Sequence, residues 1–491
     1  MTARLRTCLF LGSLIIAVLA WASGPPSFDS VDGTEFAVSG SRLEIAHAPG
    51  YPLFLFLLRI SSLAGSPLYG HMRIITCLLA GACFPAVYLA LRSHGASRTA
   101  SSAAAAALLL LAPVLSQMNV LEIHGTAILL LMLAVALRNH RAGPFMASLA
   151  IFGGHPAGVL LLPLAFSRRW FSRWAALSVL PASLLLYVPL RAGACTVAHY
   201  TRPETLPHLA AYFTMYSDVP DAPSTEGLER LAAVMGPVCA AAVLLLSVAG
   251  GRPTLRVSIS ILLGAVFLSV YRVPDYESFG WLLLVPLAFP MSGGIDRFLR
   301  GGVRGKVVLA CILVPCAFHG IRGAWRGTDD SAPRYSRDIL AGLPAGAVLH
   351  TEGHPTFYTA YLLFNEGYRP DVIPYDPLGN FFFLRMTGPL PDSLGGRPVY
   401  STRAWSDSAL VLSGLLFGPD SREEVWGDYE IFRYRGWSPD AMAGDLAAEA
   451  WALRMVQSSG SAREEAHAAA ISHAQTEVTR NRVETLFRRV P

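Results

Sequence analysis

The chain has 491 residues, 53% of them hydrophobic and only 15% charged, and a mean hydropathy of +0.43, which is the composition of a membrane protein. Its net charge of +5 is almost wholly arginine, since Lys306 is the one lysine; no GxxxxGK[ST] segment exists, so P-loop ATPase chemistry is excluded and Schiff-base chemistry has a single poor candidate. No basic stretch interleaved with aromatics points to nucleic acid, and the seven cysteines, six of them in apolar runs, show neither metal-ligand spacing nor a disulfide framework.

A bilayer crossing needs roughly 20 mostly apolar residues. In chain order the candidate runs are 5–22, 69–91, 99–116, 119–137, 173–190, 229–249, 255–272, 279–293 and 306–321. Residues 143–166 are long enough for one crossing, but "GGHPAG" interrupts them, and they read as two short helices meeting near His155. No second interrupted segment matches this one. The first run also has the make-up of a cleavable signal peptide, with a basic start and the small-residue site "AWAS". The long segment up to residue 68, however, calls for an anchor on both sides.

Arginines fix the sides. "MTARLR", 92–98, 138–141, 168–174, 250–256 and 296–306 fall on alternate ends of the runs, which assigns them to the cytoplasm. The scheme closes at about eleven helices. Residues 23–68, the turn with Glu122 and His124, the turn at His155, the loop 191–228 and the segment with Asp275 and Glu277 then lie outside. Acids and histidines thus gather at outer helix ends, where a shallow site between membrane and water can form.

Residues 323–491 change character. The runs 345–352, 370–376, 396–402 and 429–435 are short and β-prone, with a helical pattern at 355–367 between them. The expected organisation is a polytopic α-helical membrane domain over 1–322 with an outer loop at 23–68, an extracytoplasmic α/β domain over 323–436, and a helical tail over 437–491.

The outer loop opens "FDSVDGTEFAVSGSRLEIAHAPGYPLF" (28–54). Read from spacing alone, Asp32 and Glu35 make a capping box at a helix start. His47 either bonds the loop backbone or binds a ligand, and Arg191 at a helix end is ordinarily a snorkelling headgroup contact. His155 is either a packing histidine or a ligand group. "AYFTMY" (211–216) is either an interface stripe or an aromatic shelf for an acceptor.

The ordered set "DGTEF…AHAPGYPL", "NVLEIHG", "GGHPAG", "YVPLRAG", "VPDYESF", "GYRPDVIPYD" and "GRPVYST" resembles the bacterial protein O-mannosyltransferase-like membrane family of the GT-C glycosyltransferase superfamily. The likeness runs from about residue 28 to 436 and leaves out the tail. There are departures: the glycine between the two acids stands at Gly33, Ala48 replaces a proline, and His124 stands where the family has an aromatic residue.

The resemblance implies transfer of a sugar, mannose or a similar hexose, from a polyprenyl-phosphate donor to an extracytoplasmic acceptor such as a protein Ser/Thr hydroxyl, or a glycan. It implies an integral protein of the bacterial inner membrane, with the N-terminus cytoplasmic and the C-terminal domain outside. Inverting transfer needs a carboxylate to take the acceptor's proton and cationic groups to hold the leaving phosphate. Asp32 is then the expected base, with Glu35 as its partner. Arg191, His47 and His155 are the expected phosphate ligands, and Glu122, His124, Asp275 and Glu277 are acceptor or supporting groups. No cofactor is expected, and a divalent metal is left open. Two competing readings are a flippase for a lipid-linked sugar, favoured by the interrupted helix, and a non-enzymatic envelope scaffold.

Overall fold

The computed structural model describes residues 2–28, 31–171, 173–197, 203–214, 224–271, 276–325, 331–351, 354–375, 396–402, 411–413, 416–418 and 459–474, with residues 452, 455, 480, 483, 484, 487 and 488 of the tail. The expected strand at 429–435, Asp275 and much of the tail lie outside them. Packing divides the chain into two units, one of residues 1–25, 39–194 and 202–327, the other of residues 26–38, 195–201 and 328–491.

Among the described residues of the first unit, six helices are long and apolar enough to cross a membrane: Ala3–Ser23, Leu68–Ser93, Ala175–Ala192, Glu226–Ala249, Trp281–Arg300 and Gly302–Gly323. Shorter apolar helices accompany them, among them Pro52–Ser62, His124–Ala136 and Leu255–Val270. This is a polytopic α-helical membrane fold. Burial sorts its members. Leu68–Ser93 and Trp281–Arg300 are 61% buried over their apolar windows, whereas Ala3–Ser23 and Gly302–Gly323 are 17% buried. The last two expose Phe10, Ile15, Val314 and Phe318. A helix that is apolar all round yet largely uncovered by protein is one whose solvent is lipid.

With no hydrophobic drive between helices in lipid, small residues set the closest approaches. A Cβ on Gly294 would stand 2.0 Å from the Leu246 carbonyl oxygen, so Trp281–Arg300 and Glu226–Ala249 meet backbone to backbone there. The buried Arg73 guanidinium donates to the carbonyls of Trp21, Pro25 and Asn119, and stacks 4.4 Å from the Trp21 ring. Asn119 in turn donates to Ser23 Oγ and to the Ala324 carbonyl.

Several expected spans are shorter or more irregular. The run 99–116 is the helix Arg98–Leu109, capped by Ser97 Oγ, and then a single turn, Ala112–Leu115. Pro113 suits the start of a new turn and not the interior of an old one. The run 173–190 alternates 3-10 and α turns up to Tyr187–Ala192. The break at His155 is present: a π-turn, Ala150–Gly154, ends at an extended His155, and a 3-10 helix, Pro156–Leu161, follows. A second broken helix, unseen in the sequence, is Glu226–Ala249, where Gly236 takes φ 72° and ψ 157° before Pro237. The outer loop also carries two helices, Val31–Arg42 and Pro52–Ser62.

In the second unit, β1 (Val348–His350) pairs in parallel with β2 (Ile373–Tyr375) and β3 (Val399–Ser401). β4 (Val411–Ser413) and β5 (Leu416–Gly418) extend the sheet antiparallel, in the order β2-β1-β3-β5-β4. The helix His354–Ala360 and the π-turn Tyr361–Asn365 make the crossover from β1 to β2. Phe28 stacks on Tyr358 and lies tilted against Tyr361, at 5.7 and 5.1 Å between ring centroids, which ties the segment before Val31–Arg42 into this unit. The helix Gly460–His473 belongs to the tail.

Candidate active site

The segment 42–46 is held by its carbonyls. Arg191 donates from Nε to Leu43 at 2.7 Å and from Nη2 to Arg42 at 3.4 Å, at the C-terminal end of the Val31–Arg42 helix, where a cation is favoured. The Tyr187 hydroxyl donates to the Glu44 carbonyl at 2.9 Å, and the Tyr212 hydroxyl to the Ala46 carbonyl at 2.7 Å. Thus "YVPLR", expected to supply a phosphate ligand, also fixes the strap that carries His47. The Tyr212 ring is fully buried, so it anchors this strap and offers no aromatic shelf; Met215 and Tyr216 of that run lie outside the described residues.

After His47 the chain turns sharply. The Gly50 N–H donates to the His47 carbonyl, Gly50 takes φ 88°, and a Cβ there would stand 2.9 Å from Val188 Cγ2. Tyr51 follows at φ 43°, a left-handed conformation that a bulky residue adopts only under constraint. The strain sets the Tyr51 ring among histidines. It meets His47 edge-on at 5.2 Å and stacks on His155 at 5.7 Å, and His155 stacks on His124 at 5.5 Å. Phe279 lies edge-on to both His124 and His155 at 5.4 Å.

Two donors fix these imidazoles. Trp281 Nε1 donates to His124 Nδ1 at 3.1 Å, and the Ala157 N–H donates to His155 Nδ1 at 3.1 Å. An indole N–H and a backbone N–H can only donate, so both Nδ1 atoms are acceptors and each ring carries its proton on Nε2. The site thus presents Nε2–H donors where apolar helices begin, since His124 opens His124–Ala136 and Trp281 opens Trp281–Arg300. His124, where the resembled family has an aromatic, keeps a ring in the stack.

Asp32 and Glu35 stand in the second unit on the Val31–Arg42 helix. Three residues apart on one face, their carboxylate oxygens approach within 4.8 Å. Asp32 falls inside the first helical turn, so it serves the helix through the dipole and not as the cap of a capping box. Glu35 is buried and Asp32 partly exposed.

Of the remaining expected residues, Glu122 is buried in the turn before His124. Glu277 lies on the short helix Tyr276–Phe279, with its side chain outside the described residues, as is all of Asp275. Sequence reading missed Tyr51, Tyr187, Phe279 and Trp281. A tyrosine before Pro52 and a tryptophan opening an apolar run were their only signals.

No protein-family model and no curated protein matches the chain. Among solved structures, it is similar to ArnT from Cupriavidus metallidurans bound to undecaprenyl phosphate, with a TM-score of 0.53 and 13% identity over 82% of this chain and 93% of that one. The apo state of that protein gives a TM-score of 0.52 at 13% identity over 81% and 92%. The arabinofuranosyltransferase AftD from Mycobacteria gives 0.47 at 17% identity over 71% of this chain and 29% of that one. At such identities the likeness to ArnT is one of fold.

Proposed function

We propose that this chain is a GT-C-type membrane glycosyltransferase that moves a sugar from a polyprenyl-phosphate donor to an acceptor hydroxyl outside the membrane, with inversion. The observation that carries the reading is the carboxylate pair Asp32–Glu35, held within 4.8 Å on a helix that lies in sequence between the first two long apolar helices. A fold like that of a protein solved with undecaprenyl phosphate supports it.

In this mechanism Asp32 takes the proton of the acceptor hydroxyl as that oxygen attacks the anomeric carbon, and the bond from that carbon to the phosphate oxygen breaks. Glu35 holds Asp32 or the acceptor in place. Arg191 offers its positive charge to the leaving phosphate, and the Nε2–H of His155, with His47 beside Tyr51, adds hydrogen bonds to it. Glu122, His124, Asp275 and Glu277 serve the acceptor or support the ligands. The finer reading is an O-mannosyltransferase of the bacterial inner membrane acting on protein Ser/Thr hydroxyls, with both the outer loop and the C-terminal unit non-cytoplasmic.

The broken helices at His155 and Gly236 favour one second reading, a flippase for a lipid-linked sugar. Purified protein in liposomes, given labelled polyprenyl-phosphate sugar and an acceptor peptide, separates the two. Transfer supports the enzyme. Passage of the lipid across the bilayer without transfer sinks it in favour of the flippase.

A further inference from the structure

The first unit holds a cavity that the proposed reaction does not use. It is about 550 Å³ in volume and is lined by Asn139, Ser167, Arg168, Arg169 and Arg256. Two helices separate it from the ring stack. His124 opens the helix His124–Ala136 and Asn139 lies just beyond its end, about 20 Å away at 1.5 Å per residue. Arg256 lies in the first turn of Leu255–Val270, and Tyr271, just past that helix's end, meets Phe279 of the stack at 5.3 Å. The cavity therefore sits at the opposite helix ends from the candidate site.

Its frame is built from backbone and aromatics. Ser167 Oγ donates to the Arg138 carbonyl and accepts from the Arg169 N–H, Arg169 Nε reaches the Asn139 carbonyl, and Arg256 donates to the Phe166 carbonyl. Phe166 packs on Trp170 and Phe171 at 5.8 and 5.7 Å, and Phe171 is 82% exposed. A tryptophan such as Trp170 at the end of apolar helices marks headgroup depth. Burial first, and then the charge of Arg256, pulls the Arg138 guanidinium below its ordinary value.

We propose that this cavity is a phosphate-binding site filled from the bilayer by the headgroup of an anionic phospholipid. Three guanidinium groups in its lining match phosphate oxygens, and basic pockets between helix ends on the arginine-rich side of a membrane protein hold such headgroups. The aromatics beside it lie where the first carbons of the acyl chains run. A soluble phosphate has the same headgroup chemistry but gains nothing from that apolar wall.

Native mass spectrometry of the full chain tests this, with phosphatidylglycerol and phosphatidylcholine as competing lipids and inorganic phosphate as the soluble probe. Wild type should retain phosphatidylglycerol on the order of tenfold or more over phosphatidylcholine, and R168Q/R169Q/R256Q should retain the two alike. R256Q alone should give an intermediate preference, and it carries the comparison if the triple variant does not purify. Equal retention of both lipids by wild type overturns the site, as does a variant with an undiminished preference. Binding of inorganic phosphate without any lipid preference overturns the bilayer as its source.

Discussion

Arg191 Nε donates to the Leu43 carbonyl at 2.7 Å, across 148 residues of sequence, and its Nη2 reaches the carbonyl before it. One guanidinium thus closes a helix end and fixes the strap to His47. Arg191→Ala should cost about 1–3 kcal/mol in stability and should also raise the KM for the donor lipid. Arg191→Lys keeps the charge but not the two-nitrogen fork, and should recover stability less than it recovers donor binding. Thermal melts and donor titrations read the two effects separately; wild-type values of both in Arg191→Ala would remove Arg191 from strap and site alike.

Asp32 stands in a first helical turn and not at the cap, so Asp32→Asn should leave the fold nearly intact, losing at most about 1 kcal/mol of helix-dipole interaction. If it is the base, turnover should fall by roughly 10²–10⁴-fold. Glu35→Gln should be milder in rate. A folded Asp32→Asn protein with normal transfer would pass the role to Glu35.

Trp281→Phe keeps a ring against His124 but removes the donor at Nδ1. The expected cost in stability is about 1 kcal/mol. The sharper readout is the 15N spectrum of histidine-labelled protein: His124 should be a pure Nε2–H tautomer in wild type and a mixture in the variant. An unchanged spectrum would show that Trp281 does not set the proton's place.

The proposed sidedness is checked by inserting topology reporters at glycines with open surroundings, where insertion is tolerated. A Cβ added at Gly65, Gly95 or Gly396 would meet nothing within 4 Å. Reporters at Gly65 and Gly396 should give the non-cytoplasmic signal, and one at Gly95 the cytoplasmic one. Opposite signals from Gly65 and Gly396 would break the proposed arrangement.

In the second unit, Asp371 accepts from Arg369 and from the Gly346 N–H, and these bonds, the arginine's first, hold its carboxyl well below the usual range. A carboxylate depressed by folding stabilises fully above its unfolded value, about 3.9, and the gain shrinks as pH falls from there through the lower folded value. Solvent screens so exposed a group, so the gain is modest. Hydrogen exchange across residues 343–375 should be faster in Asp371→Asn than in wild type at pH ~6, and the difference should shrink toward pH ~3. A difference constant with pH would refute the linkage.

Much of the membrane architecture was legible because length and apolarity alone define a span: Ala3–Ser23, Leu68–Ser93 and Gly302–Gly323 fall close to their expected bounds. The helix Val31–Arg42 was legible only at its start, through the acid pair Asp32 and Glu35, and not in its extent. Gly33, Thr34, Ser39 and Gly40 are poor helix formers, and it is the complete burial of Phe36, Ala37 and Val38 that favours it. The kink at Gly236 hid inside an unbroken apolar run. The strands near 348, 373 and 399 were readable from β-branched clusters, whereas the pairing of β4 with β5 depends on partners that local sequence does not name. At the candidate site the histidines drew notice by their chemistry. The rings that position them come from segments far apart in the chain, and no local pattern announces such a meeting.

The two capped imidazoles have a further consequence. A histidine moves a proton through itself by accepting at one nitrogen while releasing from the other, which requires both nitrogens to be at liberty. In His124 and His155 the Nδ1 atoms are each engaged by a group that has no proton-accepting capacity. The stack therefore cannot act as a wire: Nε2 already carries its proton and has no lone pair for another, and Nδ1 can take one only by breaking the Trp281 or Ala157 hydrogen bond. In the proposed transfer the acceptor's proton therefore does not pass through His124 or His155, and the carboxylate pair Asp32–Glu35 is the group proposed to take it.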